Sequence, residues 1–146
     1  MSGNLLIMER VFAAPPATVF AFITERENLL KWWGPAGTSV AENHLNLSAL
    51  GAYWFIMVDP SGGRTRVTGD VLRLDPPRMV EFSLIVHSSN GPPMIDSVVR
   101  FELAPVDTGS THFTLTQSGL SDEEIELQSK YGWASTLTRL ETLFHT

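Results

Sequence analysis

The chain contains no cysteine. Disulfides, thiol nucleophiles and thiolate metal sites are thereby excluded, and the composition suits a reducing compartment such as the cytoplasm. Basic residues are few: ten Lys and Arg are scattered without a run, and the formal charge is −6. A protein that neutralises phosphates needs the opposite balance, so nucleic acid is not an expected partner. No apolar run approaches the ~20 residues of a membrane span, and the first ten residues lack the charged start and long apolar core of a signal peptide; no membrane association is expected. Phosphate-binding loops of the GxGxxG or GxxxxGK[ST] kind are missing, as is the GxSxG elbow of a serine hydrolase. The four histidines, His44, His87, His112 and His145, show no metal-ligand spacing. No metal or cofactor is expected.

What is present suits one globular domain spanning residues 1–146, with 43% hydrophobic and 18% charged residues. Residues 121–144 organise it. Ser121 with Glu124 three residues on makes a capping box, and Asp122, Glu123 and Glu124 complement the positive end of a helix dipole. Ile125, Gln128, Gly132, Thr136, Leu140 and Phe144 recur at helical spacing, and Trp133, Leu137 and Leu143 widen the stripe. About 23 residues at 1.5 Å give roughly 34 Å of helix. Gly132 costs about 1 kcal/mol in a helix interior, which points to a packing notch or to close approach by a backbone or a bound molecule.

Ahead of this helix the pattern is different. Leu5–Phe12 predicts a strand, Ala17–Ile23 a short helix, and Thr24 with Glu27 a second capping box that starts another short helix through Lys31. Trp32-Trp33-Gly34-Pro35 stops it. Period-two alternation then predicts strands at 39–45, 52–58, 64–74, 79–86, 95–103 and 111–117. The turns are Asp59–Gly63, Asp75–Pro77, Ser88–Pro93 and Asp107–Gly109. Strands joined this tightly are antiparallel. The expected architecture is α+β: a curved antiparallel seven-stranded sheet wrapped around a long C-terminal helix, with two short helices after strand 1. A sheet bent around a cylinder does not touch it everywhere, so a hollow is expected between them.

Residues in this order resemble a known family. They are Arg10-Val-Phe-Ala-Ala-Pro15 with Val19-Phe20, Trp32–Pro35, Gly51–Met57, Asp59–Gly62, Gly69-Asp-Val71, Asp75–Val80, and Gly132-Trp133 with Leu137, Leu140 and Leu143. The chain resembles the SRPBCC (START-like, helix-grip) superfamily, and within it the family named for the activator of heat-shock-protein-90 ATPase. The resemblance implies a helix-grip fold, often dimeric, with an internal cavity. In the wider superfamily that cavity holds lipids, hormones or polyketides, and some members are cyclases. Many relatives carry His near the end of the last strand, where this chain has Gln117, so no role of that His transfers.

No catalytic constellation emerges. Asp96, Arg100 and Glu102 share one strand face, the signature of a solvent side, where Arg100 pairs with Glu102 or Glu81. His44 and His112 fall on strands beside apolar neighbours, His87 at a strand end, and His145 near the C-terminus. What remains is aromatic and apolar surface, which suits a core and equally a small-molecule pocket. The expected ligand contacts are Trp33, Phe55, Met57, Phe82, Leu84, Phe101, Phe113, Tyr131, Trp133 and Leu137, with Tyr131, Arg66, His87 and Gln117 as candidate polar groups. The leading expectation is a domain that binds a small hydrophobic molecule between sheet and helix. One alternative is a co-chaperone-like interaction module that meets a heat-shock ATPase, or a second copy of the chain, through Trp32–Pro35 and the outer face of 53–58. Another is a cyclase-, aromatase- or hydrolase-like enzyme, which requires a positioned acid or base that the sequence does not name.

Overall fold

The computed structural model describes residues 5–88 and 91–144. His145 and part of the Ser88–Pro93 loop lie outside them. The chain runs β1 (Leu6–Phe12), α1 (Pro16–Thr24), α2 (Arg26–Leu29), β2 (Ser39–His44), β3 (Gly51–Val58), β4 (Arg64–Asp75), β5 (Met79–Val86), β6 (Ile95–Asp107), β7 (Ser110–Ser118), then a helix in two parts, α3 (Asp122–Leu127) and α4 (Trp133–Thr142). The strands form one antiparallel sheet in the order β1-β7-β6-β5-β4-β3-β2. This is the expected α+β arrangement. Register shifts interrupt β2, β4 and β6, and such irregularities increase bend and twist.

Alternation decides which face meets the helix. Phe55, Val67, Phe82, Val99, Phe101, Phe113 and Leu115 are buried on the concave side. Glu81 and Arg100 face the other side, where Arg100 Nη2 donates to Glu81 Oε2 at 2.8 Å. The concave side is a string of tilted and edge-on rings, Phe12–Phe113–Phe101–Phe82–Trp33, with centroids 5.2 to 6.2 Å apart. Such pairs add about 0.5–1.5 kcal/mol each beyond area burial.

Two local expectations are corrected. Thr24 does not cap α2: its hydroxyl donates to the Phe20 carbonyl at 2.7 Å, while Glu25 occupies the cap position without a side-chain bond. A buried threonine satisfies itself on the preceding turn, which removes it from the box. α2 is also shorter than expected, ending at Leu29. Ser121 does cap α3, its Oγ accepting from the Glu124 amide at 3.1 Å. The turn at Asp59 forms as expected. Its carboxylate accepts from the Ser61 hydroxyl at 2.6 Å and the Ser61 and Gly63 amides at 2.9 Å.

Gly69 sits in β4 where a Cβ would run into the Ser83 carbonyl oxygen and the Tyr53 ring. The space goes to Tyr53, whose hydroxyl donates to that same carbonyl at 2.7 Å; burial pushes the phenol well above its ordinary value. Because one obstacle is backbone, Gly69→Ala is expected to lower stability by about 1–3 kcal/mol or more, read as a lower urea midpoint. At Asp59 the Ser61 hydroxyl, then the Gly63 amide, hold the carboxyl below its ordinary value of 3.8. The folded value is the lower one, so this turn's contribution is present above pH 3.8 and is lost as pH falls through the folded value. The Gly63 amide proton shift, followed by NMR between neutral and strongly acidic pH, is expected to stay constant down to that point and to move only as the Asp59 carboxylate is protonated below it.

Candidate functional site

The C-terminal helix is not uniform. Between α3 and α4, residues Gln128–Gly132 form a single wide turn with i→i+5 geometry. Such turns insert one extra residue into the helical repeat and are frequent at functional sites. The wide turn leaves Gln128, Gly132, Trp133 and Thr136 together above the concave face of the sheet, with a hollow of about 280 Å³ beneath.

The hollow, open on one side, is lined by several elements. Phe55 and Met57 come from β3, Thr65 and Val67 from β4, Leu84 and Val86 from β5, Ile95 from β6 and Gln117 from β7. Trp33, Gly34 and Pro35 form one side, and Met94, 57% exposed, stands at the edge. The 33–37 turn uses glycine where the backbone demands it, with φ of +93° at Gly34 and +88° at Gly37. It is strapped to α4: Arg139 Nη1 donates to the Gly34 carbonyl at 2.8 Å, with Pro35 and Trp33 carbonyls at 3.2 and 3.3 Å. The Ala36 amide donates to Ser135 Oγ at 2.8 Å. Trp33 meets Trp133 edge-on at 5.9 Å and Phe55 edge-on at 5.8 Å.

A buried polar chain crosses the inner wall. The Trp133 indole N–H donates to Gln117 Oε1 at 2.8 Å, Gln117 Nε2 donates to Ser97 Oγ at 2.9 Å, and Ser97 Oγ donates to the Leu84 carbonyl at 2.9 Å. Gln117 is thus a structural tie between helix and sheet. Of the reasons anticipated for Gly132, the packing notch is the one found. A Cβ there would collide with the end of the Gln128 side chain, so the neighbour is an amide from the preceding turn.

Of the expected contacts, Trp33, Phe55, Met57, Leu84 and Trp133 line the hollow. Phe82, Phe101, Phe113 and Leu137 are fully buried in the core behind it. Tyr131, within the wide turn, is 66% exposed and does not line it. Arg66 is exposed. His87 Nε2 lies 2.8 Å from Thr68 Oγ and is not part of the lining. Among the residues that sequence reasoning missed as contacts, Gln128 and Thr136 on the helix and Thr65 on β4 carry polar groups. The signal for the first two was present: with Gly132 they are the non-apolar members of an otherwise apolar helical stripe.

Trp32 is fully buried, with its Nε1 donating to the Phe22 carbonyl at 2.9 Å, and Trp33 is nearly so. The Trp32–Pro35 segment is therefore a wall of the hollow and not an exposed docking motif. On β3, Trp54 is 39% exposed while Ile56 and Val58 are half-buried. A larger recess of about 590 Å³ lies among Arg73, Arg78, Arg100 and Glu102. Two of its guanidiniums are paired, Arg78 with Asp75 and Arg100 with Glu81, and His112 Nε2 lies 2.8 Å from Glu9 Oε1. Among the described residues no group of three His, Cys, Asp or Glu could hold a metal ion, and no helix is long and apolar enough to cross a membrane.

The family model described as Activator of Hsp90 ATPase homolog 1-like protein matches residues 13–145. The chain belongs to this family. Its members share the SRPBCC fold. No curated protein matches the chain. Among solved structures, the AHSA1 protein from Silicibacter pomeroyi is 32% identical, with a TM-score of 0.86 over 95% of this chain and 96% of that one. A protein from Nitrosomonas europaea is 24% identical, with a TM-score of 0.79 over 98% and 96%. One from Chromobacterium violaceum is 24% identical, with a TM-score of 0.78 over 98% and 99%. These last two support the AHSA1-like fold alone.

The tie between α4 and the sheet is testable. Gln117→Leu leaves the buried Trp133 N–H without its acceptor, which costs about 1–3 kcal/mol. A lower urea midpoint with an unchanged slope is the expected result.

Proposed function

We propose that this AHSA1-like domain binds a small hydrophobic molecule in the hollow between its sheet and its C-terminal helix. The observation that carries the reading is the lining itself: Trp33, Phe55, Met57, Leu84 and Trp133 form an aromatic and aliphatic wall interrupted by a few polar side chains. Small-molecule sites have this composition. The volume, about 280 Å³, is nearly twice that of an apolar cavity of about 150 Å³ that admits benzene. A two-ring molecule is the matching size.

The magnitude follows from area. A two-ring ligand that buries about 200 Å² of apolar surface gains about 5 kcal/mol. That corresponds to a dissociation constant of roughly 0.2 mM before ordering costs. The enzyme reading has less support, since acid–base catalysis requires a titratable group aimed at the substrate and none of the lining residues is ionisable. The co-chaperone reading loses one of the two surfaces it named, the Trp32–Pro35 segment, and keeps the outer face of 53–58, where Trp54 is exposed.

The test is a titration with naphthalene, followed by the NMR shifts of the Trp33 and Trp133 indole N–H signals. Saturable shifts in the sub-millimolar to millimolar range are expected. Val86→Phe, which takes up part of the hollow, should weaken the interaction by roughly tenfold. Unmoved indole signals up to the solubility limit, together with no small molecule in the mass spectrum of natively purified protein, would overturn the reading.

A further inference from the structure

Within the hollow, polar groups are unequally committed. Gln117 has both ends of its amide engaged, and the Thr136 hydroxyl donates to the Gly132 carbonyl at 2.8 Å. Gln128 is different. Its side-chain Oε1 and Nε2 have no hydrogen-bond partner among the described residues, yet the residue lines the hollow. Its position is also specifically accommodated: the wide turn starts at Gln128, and the missing Cβ of Gly132 is what leaves room for the amide. The Trp33 indole N–H and the Thr65 hydroxyl are the other lining groups without a hydrogen-bond partner among the described residues. Trp33 offers a donor only. Thr65, a single hydroxyl opposite Met57 near the β3–β4 hairpin, has no comparable backbone feature that makes space for it.

We infer that Gln128 reads one polar substituent on the ligand, and that the hollow selects an uncharged two-ring-sized molecule carrying a single hydroxyl or carbonyl group. The inference rests on the ligand-binding reading above. A primary amide offers both donor and acceptor, so it pairs with either substituent. A ligand that covers the amide without pairing leaves a desolvated polar group, and sites built this way reject analogues that lack the partner. Anions are disfavoured by a separate term. No lining residue carries a positive charge, and the nearby guanidinium of Arg139 is committed through Nη1 to three carbonyls of the 33–35 turn. An ionised carboxylate entering this space would lose hydration without gaining a counter-charge.

The experiment compares naphthalene, 2-naphthol and 2-naphthoate on the full chain at pH 7, using the same indole signals. We expect 2-naphthol to bind about tenfold more tightly than either of the others. Gln128→Leu removes the amide, and Gly132→Ala displaces it while keeping it in the chain. In each, the naphthol-to-naphthalene ratio is expected to fall to near one. Equal binding of naphthol and naphthalene by the wild-type chain, equal binding of naphthoate, or a ratio that survives both variants overturns the inference and leaves the ligand-binding reading standing. Loss of the ratio in Thr65→Val with its retention in Gln128→Leu does the same. No binding of any of the three compounds overturns the inference, and overturns the ligand-binding reading as well when native mass spectrometry shows no co-purifying small molecule.

Discussion

The hydrogen bond from the Trp133 indole to the buried amide of Gln117 sets where the helix stands over the sheet. It joins the first residue of α4 to β7, and through Ser97 and the Leu84 carbonyl it reaches β6 and β5. A polar chain that is fully satisfied in a buried setting is specific about geometry in a way that apolar contact is not. Below it, Phe101 meets the Trp133 ring edge-on at 6.0 Å. On the far side, Arg139 and Ser135 fasten the 33–37 turn. The helix is thus held at its C-terminal half on two sides, and the hollow is what remains between these fixed points.

Local rules made most of the architecture readable. Strand boundaries at Met79–Val86 and near Ser39, Arg64 and Thr111 followed from period-two alternation and from turns whose chemistry is explicit, such as Asp59 with Ser61 and Gly63. The Ser121 cap was readable for the same reason: its partner is three residues away. Thr24 shows the limit of such reasoning. Two partners were available to one hydroxyl, and burial of the residue favoured the carbonyl behind it over the amides ahead.

The candidate site was readable only in part. Large apolar residues are ambiguous between wall and core, and the structure divides them: Phe55 and Leu84 face the hollow, whereas Phe82 and Phe101 interlock behind it. Tyr131 qualifies as a contact by its aromatic ring and hydroxyl alone, and it lies exposed on the wide turn at 128–132. No propensity scale signals that turn. Trp32–Pro35 was open to two readings, and the choice depended on Arg139, about a hundred residues away, which holds the turn inward.

The sheet order places β1 at an edge, with β7 as its only strand neighbour among the described residues. Leu6 lies opposite Gln117 and Phe12 opposite Thr111, so the first strand waits for nearly the whole chain before it can pair. The intervening strands zip up by adjacent hairpins and carry only short loop-closure penalties. During synthesis, which proceeds from the N-terminus, Leu6, Met8 and Phe12 emerge as an apolar segment with no sheet to join. Completion of this domain is accordingly a late, long-range event, in which a strand made first docks last.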